Sequence, residues 1–225
     1  MLLDYLAEIQ ELAAKEYGIT VEETRKLISL ITWVFVQVLV NAGFPKRDIV
    51  RVTTKFRDAG RRSAPWKPAS SKVPGRPQDG QDGNRISRWL LASDHKFFAD
   101  EKTATLSEIK YYLQALSMNN APPFPSGTIQ VAFTPWLIEH RIEPGLYLDP
   151  IQLIPINLAE VIGNAKAIQS GHLIPLDRGG KHEPKNVFLM LARSNQLQGN
   201  LTVDELIELM EVIVERHKAL KHSKI

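Results

Sequence analysis

The stretch between residues 165 and 199 constrains the fold of this chain more than any other part of the sequence. Two short apolar runs, 165–173 and 187–191, are separated by a Gly-Gly pair that forces a tight turn. A short helical run over 192–197 follows and ends at a glycine. The predicted order is strand, loop, strand, short helix. Because the first strand carries a histidine and the helix an asparagine, we expect these two side chains to face each other across a small gap.

An ordered set of residues lies within this stretch. Its members are His172, Pro175, Gly179-Gly180, Asn186, Asn195 and Gly199. The intervals are fourteen residues from His172 to Asn186 and twenty-three from His172 to Asn195. The set resembles the pattern of the HNH endonucleases, also called ββα-metal nucleases, and both intervals are typical of that family. The resemblance covers about thirty of the 225 residues.

The resemblance implies a chemical role for three of these residues. In the family the first His is the general base of phosphodiester hydrolysis, so His172 takes that role here. The helix residue holds a single divalent ion, so Asn195 is the implied metal ligand. The middle Asn hydrogen-bonds across the loop, which makes Asn186 an orienting residue. Two nearby arginines, Arg178 and Arg193, are candidate contacts to phosphate oxygens.

Gly171 departs from the family pattern at the metal site. Many members have an acidic residue immediately before the His, and it supplies a second metal ligand. Two interpretations stay open. Either Asn195, waters and substrate phosphate hold the ion, which Mg²⁺ tolerates, or the site is degenerate and the protein only binds DNA. The expected cofactor is Mg²⁺, and Mn²⁺ is expected to substitute because both ions accept oxygen ligands.

The chain contains no cysteine, which excludes a disulfide scaffold, a thiol nucleophile and the Cys-ligated zinc found in many family members. No structural zinc is therefore expected. Thr202 and Glu205 form a capping-box pattern that begins a terminal helix. In place of zinc, we expect the apolar residues of this helix to pack on the module. They are Leu206, Leu209, Met210 and Ile213.

The N-terminal region, residues 1–59, reads as helical. A capping-box pattern at Thr20 and Glu23 begins a long helix, and Pro45 suits the first turn of the next. Further helical patterns lie at 85–99 and 106–118, and the alternation over 128–134 predicts a strand.

Three regions follow from these patterns. Residues 1–59 form the helical region, residues 60–84 a basic Pro- and Gly-rich linker, and residues 85–225 the nuclease region, with the ββα module at about 165–200. The predicted fold class is α+β, with a mostly helical N-terminal region and a C-terminal ββα-metal (HNH) nuclease module.

Positive charge is concentrated in the middle of the chain. Between Arg51 and Leu90, ten basic residues are opposed by three acidic ones, whereas the whole chain has a net charge of only +3. Basic clusters gain affinity for polyanions by releasing counterions from phosphates. We therefore expect a polyanionic partner, which the nuclease resemblance implies is double-stranded DNA, with Arg61, Arg62 and Lys67 as phosphate contacts. A solvated linker that is basic by chance is the alternative.

The segment from Leu27 to Val40 is apolar on nearly all faces of a helix. Such a helix needs cover on most sides. A place in the core would provide this cover. A two-fold dimer interface would provide it too, and it would match a palindromic DNA target. On this argument we expect a homodimer.

These features predict a metal-dependent endonuclease that cleaves DNA with a His general base. The compact, two-part layout favours a sequence-specific enzyme, as among type II restriction endonucleases. A homing or phage nuclease would have the same features, and a catalytically inactive DNA-binding protein with a ββα fold is the alternative from another class. The longest apolar segment is too short to cross a bilayer of roughly 30 Å, and the first residues lack a basic signal region. A soluble cytoplasmic protein without a membrane partner is expected.

Overall fold

The computed structural model describes residues 2–63, 86–125, 127–134 and 136–222. Within them the fold is α+β, as expected. The helices are α1 (Leu2–Ala13), α2 (Val21–Asn41), α3 (Lys46–Gly60), α4 (Glu101–Leu116), α5 (Gly127–Ala132), α6 (Leu158–Gly163), α7 (Ala192–Gln198) and α8 (Val203–His222). The strands are β1 (Arg62–Ser63), β2 (Ile86–Ser87), β3 (Ile168–His172) and β4 (Val187–Leu191), and they form two antiparallel pairs, β1 with β2 and β3 with β4. No helix in these ranges combines the length and apolarity needed to span a membrane.

Helix α4 lies at the centre of the fold. Every residue from 104 to 116 is buried, because α2 and α3 pack on one side and β4 on another. The Tyr112 ring makes edge contacts with Phe35 of α2 and Phe56 of α3, at centroid distances of 5.1 and 5.2 Å. Such aromatic contacts add about 0.5–1.5 kcal/mol beyond the area they bury.

Helix α2 is a core helix. The predicted capping box is present, since Thr20 accepts from the backbone of Glu23 and the Glu23 side chain accepts from Thr20. Its apolar residues Leu27, Val34 and Leu39 are fully buried within the chain. The core therefore provides the cover that this segment needs, and its composition no longer argues for a dimer.

Strands β3 and β4 form a hairpin that α7 follows without a break. His172 pairs with Val187 in the register, and Gly179 ends a 3₁₀ turn with a φ of +84°. The hairpin is tied to the helical part of the chain, because Gln114 of α4 accepts from the Leu189 backbone at 3.0 Å. The segment thus has the predicted order of strand, loop, strand and short helix.

Two local predictions are wrong. The segment 128–134, predicted as a strand, is mostly helix α5, because Ile129 and Phe133 lie four residues apart and are both buried. The segment 85–99, predicted as a helix, contains β2, which pairs with β1. Short apolar runs fit either period, and the tertiary contacts decide between them.

The predicted linker, 60–84, lies mostly outside the described residues, which omit 64–85. Gly60 ends α3 and residues 62–63 form β1. The helices before and after this segment pack together, since α2 and α3 both contact α4.

The packing predicted for the terminal helix is also wrong. Of its four apolar residues named above, only Leu206 is buried, and the other three are 43–48% exposed. Helix α8 contacts α7 near its start, and its later turns lie away from the module.

Candidate functional site

His172 is half-buried at the end of β3 and belongs to a chain of hydrogen bonds. Its Nε2 lies 3.1 Å from Nδ1 of His182, which is buried in the loop between the strands. The Nε2 of His182 lies 2.8 Å from the backbone carbonyl of Gly60, at the end of α3. The chain therefore links the hairpin to the helical region through two imidazoles.

The Gly60 carbonyl determines which ring nitrogens of His182 and His172 carry a hydrogen atom. A carbonyl only accepts, so Nε2 of His182 must donate and its Nδ1, in the neutral ring, must accept. His172 therefore donates from Nε2, which leaves the lone pair on its Nδ1. None of the described residues hydrogen-bonds to that Nδ1. His172 is thus held in the tautomer that a general base needs.

Both imidazoles are kept neutral by their surroundings. Burial lowers the pKa of His172 to about 4, and the positive charge of Arg88 acts in the same direction. Burial also holds the pKa of His182 well below its usual 6.5, again with help from Arg88. The Arg88 guanidinium is itself buried and donates to the carbonyls of Ala59, Gly60 and Phe97. A phosphate near the His172 ring would oppose this effect, because negative charge favours the protonated form.

Asn186 fixes the loop that follows His172. Its Oδ1 accepts from the Ile174 backbone at 2.8 Å, and its Nδ2 donates to the carbonyls of Ile174 and Lys181 at 2.9 Å. Gly180 allows this closure, since a Cβ there would lie 2.0 Å from the Ile174 carbonyl oxygen. This is the geometry expected of an orienting residue.

Asn195, half-buried on α7, faces β3. Its Nδ2 donates to Oε1 of Gln169 at 2.7 Å, and its Oδ1 would lie 3.0 Å from a Cβ at Gly171. Gln169 and Gly171 are two residues apart on a strand and share one face of the hairpin. Asn195 therefore presents an amide oxygen beside the position where the family has its acidic residue.

Met190 occupies the space beside Gly171. A Cβ at residue 171 would lie 2.4 Å from Met190 Cε and 2.5 Å from its Sδ, and Met190 is fully buried. An acidic side chain could not be placed here unless the thioether moved. A side chain at position 171 therefore requires the Met190 thioether to move.

The oxygen atoms that could bind a metal ion at this face belong to the uncharged amides of Asn195 and Gln169. Within the residues that the structure describes, no group of three or more His, Asp or Glu side chains is placed to hold a metal. Amide oxygens are hard ligands that suit Mg²⁺ or Mn²⁺, but they bring no charge. The donor set fits such an ion when waters and phosphate oxygens complete the coordination.

Three residues of the site were not predicted as functional. His182 and Gln169 orient His172 and Asn195, as described above. Asp149 is fully buried and accepts from the Leu191 backbone and from Ser194 Oγ, both at 2.8 Å, which anchors the start of α7. Only His182 had a sequence signal, as a second histidine in the loop. The other two lie where the sequence shows no pattern.

The predicted phosphate contacts already have partners within the chain. Arg178 forms a two-pronged ion pair with Glu205, at 2.7 and 3.0 Å, and Arg193 donates to the side chain of Gln152. Arg61 pairs with the buried Glu108, and Arg62 lies 3.5 Å from Asp58. Lys67 lies outside the described residues. Contact with DNA would require these arginines to exchange partners.

The chain resembles a solved structure in part. No family of known proteins matches the chain, and no curated protein matches it. A crystal structure of a type II restriction endonuclease superposes with a TM-score of 0.46 and 19% sequence identity, over 60% of this chain and 62% of that one. The chain thus spans less than two thirds of that protein, and a likeness of this size assigns no family.

Proposed function

We propose that this chain is a metal-dependent endonuclease that hydrolyses DNA phosphodiester bonds, with His172 as the general base. One observation carries the proposal: Asn186, Asn195 and His172 lie in one strand–loop–strand–helix unit, and the His172 ring is held with Nδ1 free. General bases need both the correct tautomer and a fixed position.

The chain's own residues account for the proton transfer. His172 Nδ1 accepts a proton from the attacking water, while Nε2–H keeps its hydrogen bond to His182. The Gly60 carbonyl holds His182 in turn, so the ring of His172 does not rotate as charge develops. Asn186 keeps the loop closed behind the ring.

Asn195 is the proposed metal ligand. Its hydrogen bond to Gln169 directs Nδ2 toward the glutamine and leaves Oδ1 as the available donor. A divalent ion bound there, Mg²⁺ or Mn²⁺, would supply positive charge to the phosphate and the leaving oxygen.

We further propose that cleavage is sequence-specific, as in a restriction enzyme, and that two copies of the chain act together on DNA. The compact layout supports this subtype, and a homing or phage nuclease shares that layout. Mapping the ends of cleaved plasmid DNA separates the possibilities, because a specific enzyme leaves discrete fragments.

Nicking of supercoiled plasmid tests the nuclease proposal. We expect wild-type protein to cleave with Mg²⁺ or Mn²⁺ and not with EDTA. Loss of a general base costs about 10²- to 10⁴-fold in rate, so His172→Ala should nearly abolish cleavage while DNA binding persists. His140→Ala is the matched control, since this histidine packs on Tyr147 instead. DNA binding without cleavage by wild-type protein would favour the inactive DNA-binding alternative.

A further inference from the structure

Helix α8 is attached to the module by its first turn. The Thr202 backbone donates to Glu205 at 2.9 Å, Glu205 also pairs with Arg178, and Leu206 is buried. From residue 207 to 221 every residue is exposed. The attachment therefore fixes the direction of the helix and leaves most of its length in solvent.

The exposed part of α8 is strongly apolar on one side. Ile207, Met210, Ile213 and Val214 are 43–49% exposed. At 3.6 residues per turn these four side chains fall on one face, with Asp204, Glu208, Glu211 and Glu215 on the other. A contiguous apolar face of this kind marks an interaction site.

The charges of α8 are divided between its two halves. Residues 203–212 contain four acidic residues and no basic one, whereas residues 213–222 contain three basic residues and one acidic residue. An antiparallel pair of these helices places each acidic half beside a basic half. A parallel pair places like charges together, which is unfavourable.

We propose that α8 pairs in antiparallel orientation with α8 of a second copy of this chain. The pair has two-fold symmetry, so the same apolar face is buried on both copies and both charge contacts are made twice. The exposed residues, 207–221, give about 22 Å of helix, or about two heptads, along which the two copies can pack. The pairing would supply the two copies proposed to act together on DNA, but no residue of the candidate site contributes to it, so the pairing can fail while the proposed cleavage chemistry stands.

The mass of the full chain in solution tests the pairing. Light scattering and sedimentation should give a dimer for the wild type. Met210→Glu with Ile213→Glu places charges on the apolar face and should raise the dissociation constant by at least about 100-fold. Val212→Glu is the matched control, because Val212 is 44% exposed, close to the 43% of Ile213, and lies on the opposite side of the helix. A wild-type monomer, or a double variant that dimerises as tightly as the control, would overturn the proposal.

Salt dependence tests the orientation. Sodium chloride screens attraction in the antiparallel pair, so the dissociation constant should rise with salt. The double variant Arg216→Glu with Lys218→Glu should form a weaker dimer than the wild type at low salt, because both halves of α8 are then acidic. A dimer that tightens with salt would contradict the antiparallel arrangement.

Discussion

At the scale of single residues, His182 fixes the tautomer of His172 through a hydrogen bond. Its Nδ1 accepts from His172 and its Nε2 donates to Gly60. Replacing His182 with Phe removes the acceptor and frees the His172 ring to rotate or change tautomer. Because partners of this kind are worth about 10- to 100-fold, we expect a fall of that size in the single-turnover rate with unchanged DNA affinity.

A conservative variant separates this role from simple destabilisation. His182→Asn keeps one hydrogen-bond donor and one acceptor, so it should recover part of the cleavage rate that His182→Phe loses. Its free energy of unfolding should also differ from that of the wild type. The exposed neighbour Lys181, changed to Ala, should leave the rate unchanged. Equal rates for His182→Phe and wild type would show that His182 does not position the base.

The same two histidines predict how stability depends on pH. Burial depresses the pKa of both, to about 4 for His172 and well below the usual 6.5 for His182. Between that value and the usual 6.5 the unfolded chain therefore binds more protons, so stability falls as the pH falls through this range.

Urea unfolding of the free protein across this range measures the effect. The double variant His172→Gln with His182→Gln should lose stability less steeply with falling pH than the wild type. Parallel curves for the two proteins would indicate that carboxylates alone produce the acid dependence.

At the scale of elements, the Met190 thioether of β4 occupies the space into which a side chain at position 171 of β3 would project. Gly171→Asp alone should cost about 1–3 kcal/mol of unfolding free energy, because Met190 fills the space. Adding Met190→Ala makes room, and the double variant should bind Mn²⁺ without DNA.

Calorimetry with Mn²⁺ checks this expectation. Wild type and Met190→Ala should bind weakly, since the Asn195 oxygen brings no charge to attract a cation. Tight Mn²⁺ binding by the wild type that survives Asn195→Ala would place the metal at other residues.

At the scale of the whole molecule, the arginines proposed as phosphate contacts also have partners within the chain. Arg61 is unsuitable for this test, because its loss would remove the ion-pair partner of Glu108. Glu108 is a buried carboxylate, and burial raises its pKa. Arg62 is a better choice because its partner Asp58 also lies 3.6 Å from Arg57, and Arg193 has a neutral partner in Gln152. If both contact phosphates, Arg62→Gln with Arg193→Gln should reduce the slope of log affinity against log salt by about 2.

Fluorescence anisotropy at several salt concentrations gives this slope. Arg141→Gln is the control, since Arg141 is an exposed arginine paired with Glu143. An unchanged slope in the double variant would show that Arg62 and Arg193 do not contact phosphates.

Local patterns in the sequence were sufficient for part of the site. The Gly-Gly turn and the two capping boxes depend on neighbours a few residues away, and the bonds of Asn186 lie within one hairpin loop; all of them are present. The alternation of apolar residues over 128–134 was insufficient to predict the element. A strand would place Ile129, Val131 and Phe133 on one face, but in the structure Val131 is exposed while Ile129 and Phe133 are buried in the core.

The sequence by itself determined the α+β class, the order of elements around His172 and the side chains available for chemistry. Tertiary structure alone decided which groups meet. His182 reaches His172 because α3 brings the Gly60 carbonyl to the hairpin, across 122 residues of sequence. Likewise α2 is covered while α8 is exposed, although both sequences are apolar. Burial and long-range hydrogen bonds depend on the path of the whole chain, and no local pattern contains that information.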